Sequence, residues 1–136
     1  MKNIIYTVVF LITITVYSQE KKQGKVYRGW TYIDTNENGE NYYKAQKNDF
    51  IWYKLILNES KKIKGIKGKV KIILTLYKVD CKEKEIGYKS GFVYDNEYNI
   101  LQQDEQSPDI IVMMEKPKPN SIELWYLDFY CNNIKR

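Results

Sequence analysis

The chain has 136 residues, a formal net charge of +5, 43% hydrophobic residues and 15% aromatic residues. This length and composition predict one domain with enough hydrophobic residues to build a core, so the chain need not be disordered. The 22 basic residues are nearly balanced by 17 acidic ones, so the charge does not indicate a nucleic-acid-binding protein, and the absence of histidine removes the most common general base and zinc ligand.

Residues 1–18 have the pattern of a secretory signal peptide. Lys2 provides a positive start, IIYTVVFLITITV is the apolar region, and VYS ends the segment before Gln19. The apolar run is shorter than the roughly 20 residues that cross a bilayer as a helix, so we expect no transmembrane segment. The expected product starts near Gln19 and is periplasmic, associated with the outer membrane, or secreted. No Cys stands at the cleavage point, so the sequence does not indicate a lipoprotein.

Six strand-like runs follow the polar segment QEKKQGK. Apolar and polar positions partly alternate in FIWYKLIL and KVKIILTLYKV, as expected for antiparallel strands with one face in a core. The predicted strands are at about 27–34, 41–46, 50–57, 69–80, 86–94 and 97–102.

The stretch DTNENGE contains alternating oxygen-bearing residues, as a calcium loop does. Asp34, Asn36 and Asn38 precede Gly39, but Ala45 occupies the position at which such a loop needs a bidentate Glu. The aromatic and β-branched flanks favour strands. We therefore predict a hairpin turn at Asn38 and Gly39, because both residues tolerate positive φ. No metal or cofactor is expected.

The C-terminal segment IELWYLDFYC follows the proline-containing KPKPNS. Ser121 is a candidate N-cap, and Glu123 in the first turn suits the positive end of a helix. These features predict a short helix. A strand remains an alternative because of four aromatic residues, Trp125, Tyr126, Phe129 and Tyr130.

The two cysteines, Cys81 and Cys131, form an even pair in a chain expected to be exported. We predict that they form a disulfide, with two free thiols as the alternative. This bond would tie the C-terminal element to the end of the long strand. The expected fold is α+β, an antiparallel sheet of about six strands with a C-terminal helix tied to it by the disulfide, in a single domain over 19–136.

A lysine-rich tract, KKIKGIKGKVK, lies between two predicted strands. It could bind anionic lipid headgroups, lipopolysaccharide, sulfated glycans or an acidic protein, with an affinity that falls as salt rises. The alternative is a solvated loop whose charges protect a sheet edge. The candidate binding residues are Lys61, Lys62, Lys64, Lys67, Lys69 and Lys71.

Thirteen tyrosines and three tryptophans provide large amphipathic side chains. We expect the tryptophans Trp30, Trp52 and Trp125 to pack in the core. Neighbouring residues of a strand point to opposite faces, so Tyr42 and Tyr43 should include one exposed ring. This pair is therefore a candidate for recognition of a partner.

Catalysis by two carboxylates could use Asp104 with Glu105, or Asp80. A solvated acidic loop and a turn acceptor at Asp80 are the simpler interpretations. We therefore expect a protein that is not an enzyme.

The order of several short motifs resembles the surface-adhesin protein E family of small exported bacterial proteins, over most of residues 29–131. The motifs are GWTYI, YYK, FIWYK, YKVDC, GFVYDNEYNIL, and PNS followed ten residues later by Cys131. The resemblance implies an antiparallel sheet with a helix tied back by a disulfide, a host or extracellular-matrix protein as ligand, and a homodimer. PNS replaces the family's PGS, and the lipid-attachment Cys of the adhesin that names the family is absent.

Together these features predict an exported binding or adhesion-like module that recognises a protein or an anionic ligand, either at the cell envelope or outside the cell. The alternative is a structural or accessory protein of the envelope without a soluble ligand.

Overall fold

The computed structural model describes residues 29–135. The chain divides into two compact units, 1–31 and 32–136, and only residues 29–31 of the first are described. The predicted signal peptide and its boundary at residue 18 therefore lie outside the described residues. No helix within 29–135 is long and apolar enough to cross a membrane.

Six strands form one sheet in which each strand lies next to its neighbour in sequence. The ladders from the second strand to the sixth are antiparallel, which confirms the predicted sheet. Short hairpin connections suffice for such an order. The strands are β1 (Thr31–Thr35), β2 (Gly39–Ala45), β3 (Phe50–Lys62), β4 (Lys69–Asp80), β5 (Glu85–Tyr94) and β6 (Ile100–Glu105).

The C-terminal segment is a helix rather than a strand. Helix α1 covers Ile122–Phe129 and continues into a π-helical turn, Tyr130–Ile134. The Ser121 hydroxyl accepts a hydrogen bond from the Leu124 amide at 3.2 Å, as expected for an N-cap, and Glu123 lies in the first turn.

The predicted disulfide is present. Cys81 follows the end of β4, Cys131 lies in the π-helical turn, and their Cα atoms are 5.7 Å apart. The bond therefore ties the end of the helical segment to the sheet, which confirms the α+β fold.

The main core lies between α1 and one face of the sheet. Ile51, Tyr53 and Val79 contribute from β3 and β4, and Leu127 contributes from the helix, each at most 2% exposed. The ring of Tyr53 stacks on that of Tyr126 with centroids 3.9 Å apart, and its hydroxyl donates to the Tyr126 carbonyl at 2.7 Å. The three tryptophans are half-buried, and Trp125 packs against the core cluster as predicted.

The first hairpin turns where the sequence predicts it, but for a different reason. The Asn36 side-chain oxygen accepts from the amides of Asn38 at 2.9 Å and Gly39 at 3.3 Å, and Asn38 does not have positive φ. Gly39 is needed because a Cβ there would collide with the Ile56 carbonyl on β3. The turn is therefore held by an asparagine side chain and a close backbone approach.

Several strand boundaries differ from the prediction, among them the start of β1 at Thr31, the end of β3 and both ends of β6. β3 continues five residues beyond 57, through the polar run NESKK, and β6 covers 100–105 instead of 97–102. The residues before β6 form a turn because the Asp95 carboxylate accepts from the amides of Glu97 and Asn99, both at 2.9 Å. These amides therefore hydrogen-bond to the Asp95 side chain and not to a neighbouring strand.

Candidate functional site

The end of β3, the turn after it and the start of β4 bring all six candidate lysines onto one hairpin, residues 61–71, which we call the lysine hairpin. Lys61 pairs with Val70, and Lys62 lies directly opposite Lys69. Five of the six lysines are exposed, and Lys71 is half-buried. The two ends of the tract are therefore paired strand residues, and residues 63–68 form the turn and bends that join them.

The turn of the lysine hairpin has open space at Gly65, whereas Gly68, three residues on, lies close to the Leu101 side chain of β6. The Ile66 amide donates to the Ile63 carbonyl at 3.1 Å, and Gly65 between them has φ +87°. This is the glycine position of a tight turn that needs positive φ. A Cβ at Gly65 would meet no described atom within 4 Å.

Side-chain and backbone hydrogen bonds connect the base of the lysine hairpin to the first hairpin. The Lys71 ammonium donates to the Asn58 carbonyl at 3.0 Å. Asn58 in turn donates from its amide to the Asn38 carbonyl and from its side chain to the Glu37 carbonyl, both at 3.1 Å. Val70 is fully buried. Three hydrogen bonds at Asn58 thus hold the base of the hairpin that carries the five exposed lysines.

Among residues 29–135, no acid forms an ion pair with a lysine of the hairpin. Within residues 29–135 the ion pair found is Lys135 with Asp49, at 2.7 Å, which involves none of the hairpin lysines. Like charges opposite each other in a ladder, such as Lys62 and Lys69, destabilise a sheet. The concentration of positive charge therefore costs folding free energy, and an external anion would relieve it.

Tyr42 and Tyr43 do not form the exposed recognition pair that the sequence predicts. Tyr42 is 8% exposed, and its hydroxyl donates to the Glu40 carboxylate at 2.7 Å. Tyr43 is half-buried, with its ring 5.3 Å from that of Phe129 in α1. The expectation that one ring is exposed was wrong because side chains cover both faces of the sheet at β2.

Lys54 is a buried cation that the sequence analysis did not single out. It lies opposite Tyr42 in the ladder, is 3% exposed, and places its ammonium 5.1 Å from the centre of the Tyr42 ring. Burial lowers the pKa of Lys54 to about 8. The signal in the sequence was its position between Trp52 and Ile56, which alternate onto the same strand face.

A second surface, the cleft beside β5, was also missed. Its volume is about 800 Å³, and Tyr77 and Tyr88 line it together with Ile111 and Met113, which are 89% and 79% exposed. Ile86 exchanges two backbone hydrogen bonds with Glu115 and so closes one side. Burial and a hydrogen bond with Asp104 raise the pKa of Tyr88 to about 12. The signal was the apolar run IIVMM after the polar stretch.

The carboxylates considered for catalysis are not arranged as a facing pair. Asp104 lies opposite Gly91 and Glu105 opposite Ser90, so their side chains leave β6 on opposite faces. Asp80 accepts hydrogen bonds from the amides of Lys82 and Glu83, both at 3.0 Å, which confirms the turn-acceptor interpretation. In the part of the chain that the structure describes, no three His, Cys, Asp or Glu side chains group as a metal site.

Comparison of the chain with protein-family models, with curated proteins and with solved structures finds no match in any of the three. The resemblance to the surface-adhesin protein E family therefore stays a prediction that depends on the order of short motifs.

Proposed function

We propose that the protein is an exported, non-enzymatic binding module that holds an anionic ligand, at the cell envelope or outside the cell, through the lysine hairpin. The observation that carries this proposal is the set of five exposed lysines on one hairpin, none of them in an ion pair with a described acid. The hydrogen bond between Lys71 and Asn58 at the base of the hairpin also favours a binding site over the alternative of a solvated loop.

The chemistry of the hairpin suits a ligand with many negative charges. Lysine is a flexible point charge and lacks the planar fork with which arginine grips a single phosphate. Several lysines within a Debye length of one another, about 10 Å at 0.1 M salt, attract a polyanion or a charged surface collectively. We therefore expect binding that depends on charge density and weakens steeply with salt.

Export is supported by two separate features. The first is the signal-peptide pattern of residues 1–18, and the second is the disulfide, a bond that persists mainly in oxidising compartments. The ligand is therefore sought among envelope and extracellular polyanions, including acidic host proteins, and not among cytosolic ones.

Retention on immobilised heparin, followed through a salt gradient, tests the proposal. The hairpin variant carries Lys61→Gln, Lys62→Gln, Lys64→Gln, Lys67→Gln and Lys69→Gln. The control variant has the same net charge and removes five exposed lysines elsewhere: Lys44→Gln, Lys47→Gln, Lys82→Gln, Lys84→Gln and Lys116→Gln.

We expect the wild type to elute at the highest salt, the control variant slightly earlier because of its lower net charge, and the hairpin variant near the void. Equal elution of the two variants would show that net charge alone causes retention. That result would remove the proposal and leave the alternative of an envelope structural protein.

A further inference from the structure

We infer that the anionic ligand of the lysine hairpin is the surface of a lipid bilayer, and that Ile63 and Ile66 at the hairpin tip insert among the lipids. This inference rests on the proposed function, because it names the ligand of the same site. It adds a contact that binding to a soluble polyanion would not use.

Two isoleucines stand together at the point of the lysine hairpin. Ile63 and Ile66 are the first and last residues of the turn closed by the 3.1 Å hydrogen bond, so their Cα atoms lie within about 7 Å. Ile63 is 38% exposed and Ile66 is half-buried. Neither belongs to the core cluster of the domain. The pair therefore forms a small apolar tip that is partly exposed and lies outside the core cluster.

The lysines are placed behind and around this tip. Lys64 lies inside the turn, Lys61 and Lys62 precede it on β3, and Lys67 and Lys69 follow it. A bilayer surface has the same order of layers, with anionic headgroups outside and acyl chains beneath them. Lysine stems can lie along the apolar tip while their ammonium groups stay among the headgroups.

A bilayer would contact both the lysines and the isoleucines of the hairpin, whereas a soluble polyanion would contact the lysines alone. Sulfated glycans in water would contact the lysines but would offer no apolar medium for the isoleucines. Residues 63–66 have room to contact a surface at Gly65, where no described atom lies within 4 Å of an added Cβ, while Gly68 behind them lies close to the Leu101 side chain of β6. The tip can thus enter a surface without rearrangement of the sheet.

The expected affinity is modest and depends on both kinds of contact. A lysine near an anionic leaflet contributes about fivefold to the partition coefficient, and partial burial of two isoleucines contributes about tenfold. Five lysines without the isoleucines should therefore still attract the protein, but less strongly. The apolar share should persist at salt concentrations that screen the charges.

The test compares two probes, vesicles of phosphatidylcholine mixed with phosphatidylglycerol, and immobilised heparin. All proteins are purified after export by the expressing cell, and intact mass verifies that their N-termini are the same. The tip variant carries Ile63→Ser and Ile66→Ser. Its matched control carries Ile100→Ser and Ile110→Ser, which replace two other exposed isoleucines, and thermal melting verifies that every variant is folded.

We expect the tip variant to lose about tenfold in partition to the mixed vesicles while it elutes from heparin with the wild type. The control should match the wild type on both probes. A tip variant that binds the vesicles as the wild type does would overturn the inference, and intact heparin binding would then identify a soluble polyanion as the ligand. If the wild type binds neither probe, the proposed function fails as well.

Discussion

Tyr53 and Lys54 are adjacent in β3 and are buried on opposite faces of the sheet, at 2% and 3% exposure. Burial raises the pKa of the Tyr53 hydroxyl, with smaller contributions from neighbouring tyrosines, and lowers that of the Lys54 ammonium to about 8. Burial therefore shifts both groups towards their neutral forms, although Lys54 is still mostly protonated at pH 7. The sequence predicts that β3 has one face in a core but not that both of its faces exclude water, because that depends on what packs against each face.

Lys54 should make stability increase with pH on the alkaline side of neutrality. The pKa of Lys54 is about 8 in the folded chain and an ordinary lysine has a pKa of 10.5, so between these values the unfolded chain binds a proton that the folded chain does not. From pH 7 to pH 10 the wild type should gain roughly 1–3 kcal/mol of unfolding free energy relative to Lys54→Met. Urea titrations of both proteins across this range measure the difference. Parallel pH profiles would contradict the pKa assignment.

The Tyr53 hydroxyl should stabilise the interface between sheet and helix. Tyr53→Phe removes the donor to the Tyr126 carbonyl and leaves that carbonyl without this partner. We expect a loss of roughly 1–2 kcal/mol in the free energy of unfolding. The control is Tyr98→Phe, at a side chain that is 54% exposed, which should change stability by less than about 0.5 kcal/mol. Equal effects of the two substitutions would show that the buried hydrogen bond contributes nothing specific.

Among the elements, helix α1 depends on both packing and a covalent tie. It has eight residues, too few for stability alone, and it packs on β3 through Tyr126 and Leu127. The disulfide then joins the π-helical turn to the end of β4. The helix was predictable from Ser121 and Glu123, because N-cap and first-turn preferences depend on local sequence. The sequence did not predict the π-helical turn, which no local signal in YCNNI marks.

Removal of the disulfide should release the C-terminal element before the sheet. The bond closes a loop with a sequence separation of 50, for which loop entropy gives about 4 kcal/mol of stabilisation. We expect the variant Cys81→Ser with Cys131→Ser to lose about 2–4 kcal/mol in urea unfolding. Hydrogen exchange should be faster at 122–134 than at 70–79. The wild type kept reduced is the control, and an unchanged midpoint in both would contradict this account.

The end of β3 is a strand boundary that the sequence did not predict. The run NESKK is polar and resembles a loop, so the strand was predicted to end at 57, yet its last residues pair with Lys69 and Val70. The pairing became possible because Asn58 hydrogen-bonds to the first hairpin, a contact between segments about 20 residues apart. Non-local hydrogen bonds of this kind leave no periodicity in the sequence.

At the scale of the whole molecule, the lysine hairpin proposed to bind the ligand and the disulfide that stabilises the fold lie at opposite ends of β4. The strand has 12 residues, so the lysine hairpin and the disulfide are on the order of 35 Å apart. The lysine tract was predicted from composition, because charge clusters are visible in sequence. The apolar tip and the cleft beside β5 were not, since exposure of an isoleucine is decided by the assembled fold.

The measurement that tests the central claim most directly is amide hydrogen exchange of the exported protein, with and without mixed phosphatidylcholine and phosphatidylglycerol vesicles. We expect slower exchange at 61–69 when vesicles are present and unchanged exchange at 122–134, with the hairpin variant showing no difference. Protection confined to the cleft segment 106–118, or spread evenly over the chain, would contradict the assignment of binding to the lysine hairpin.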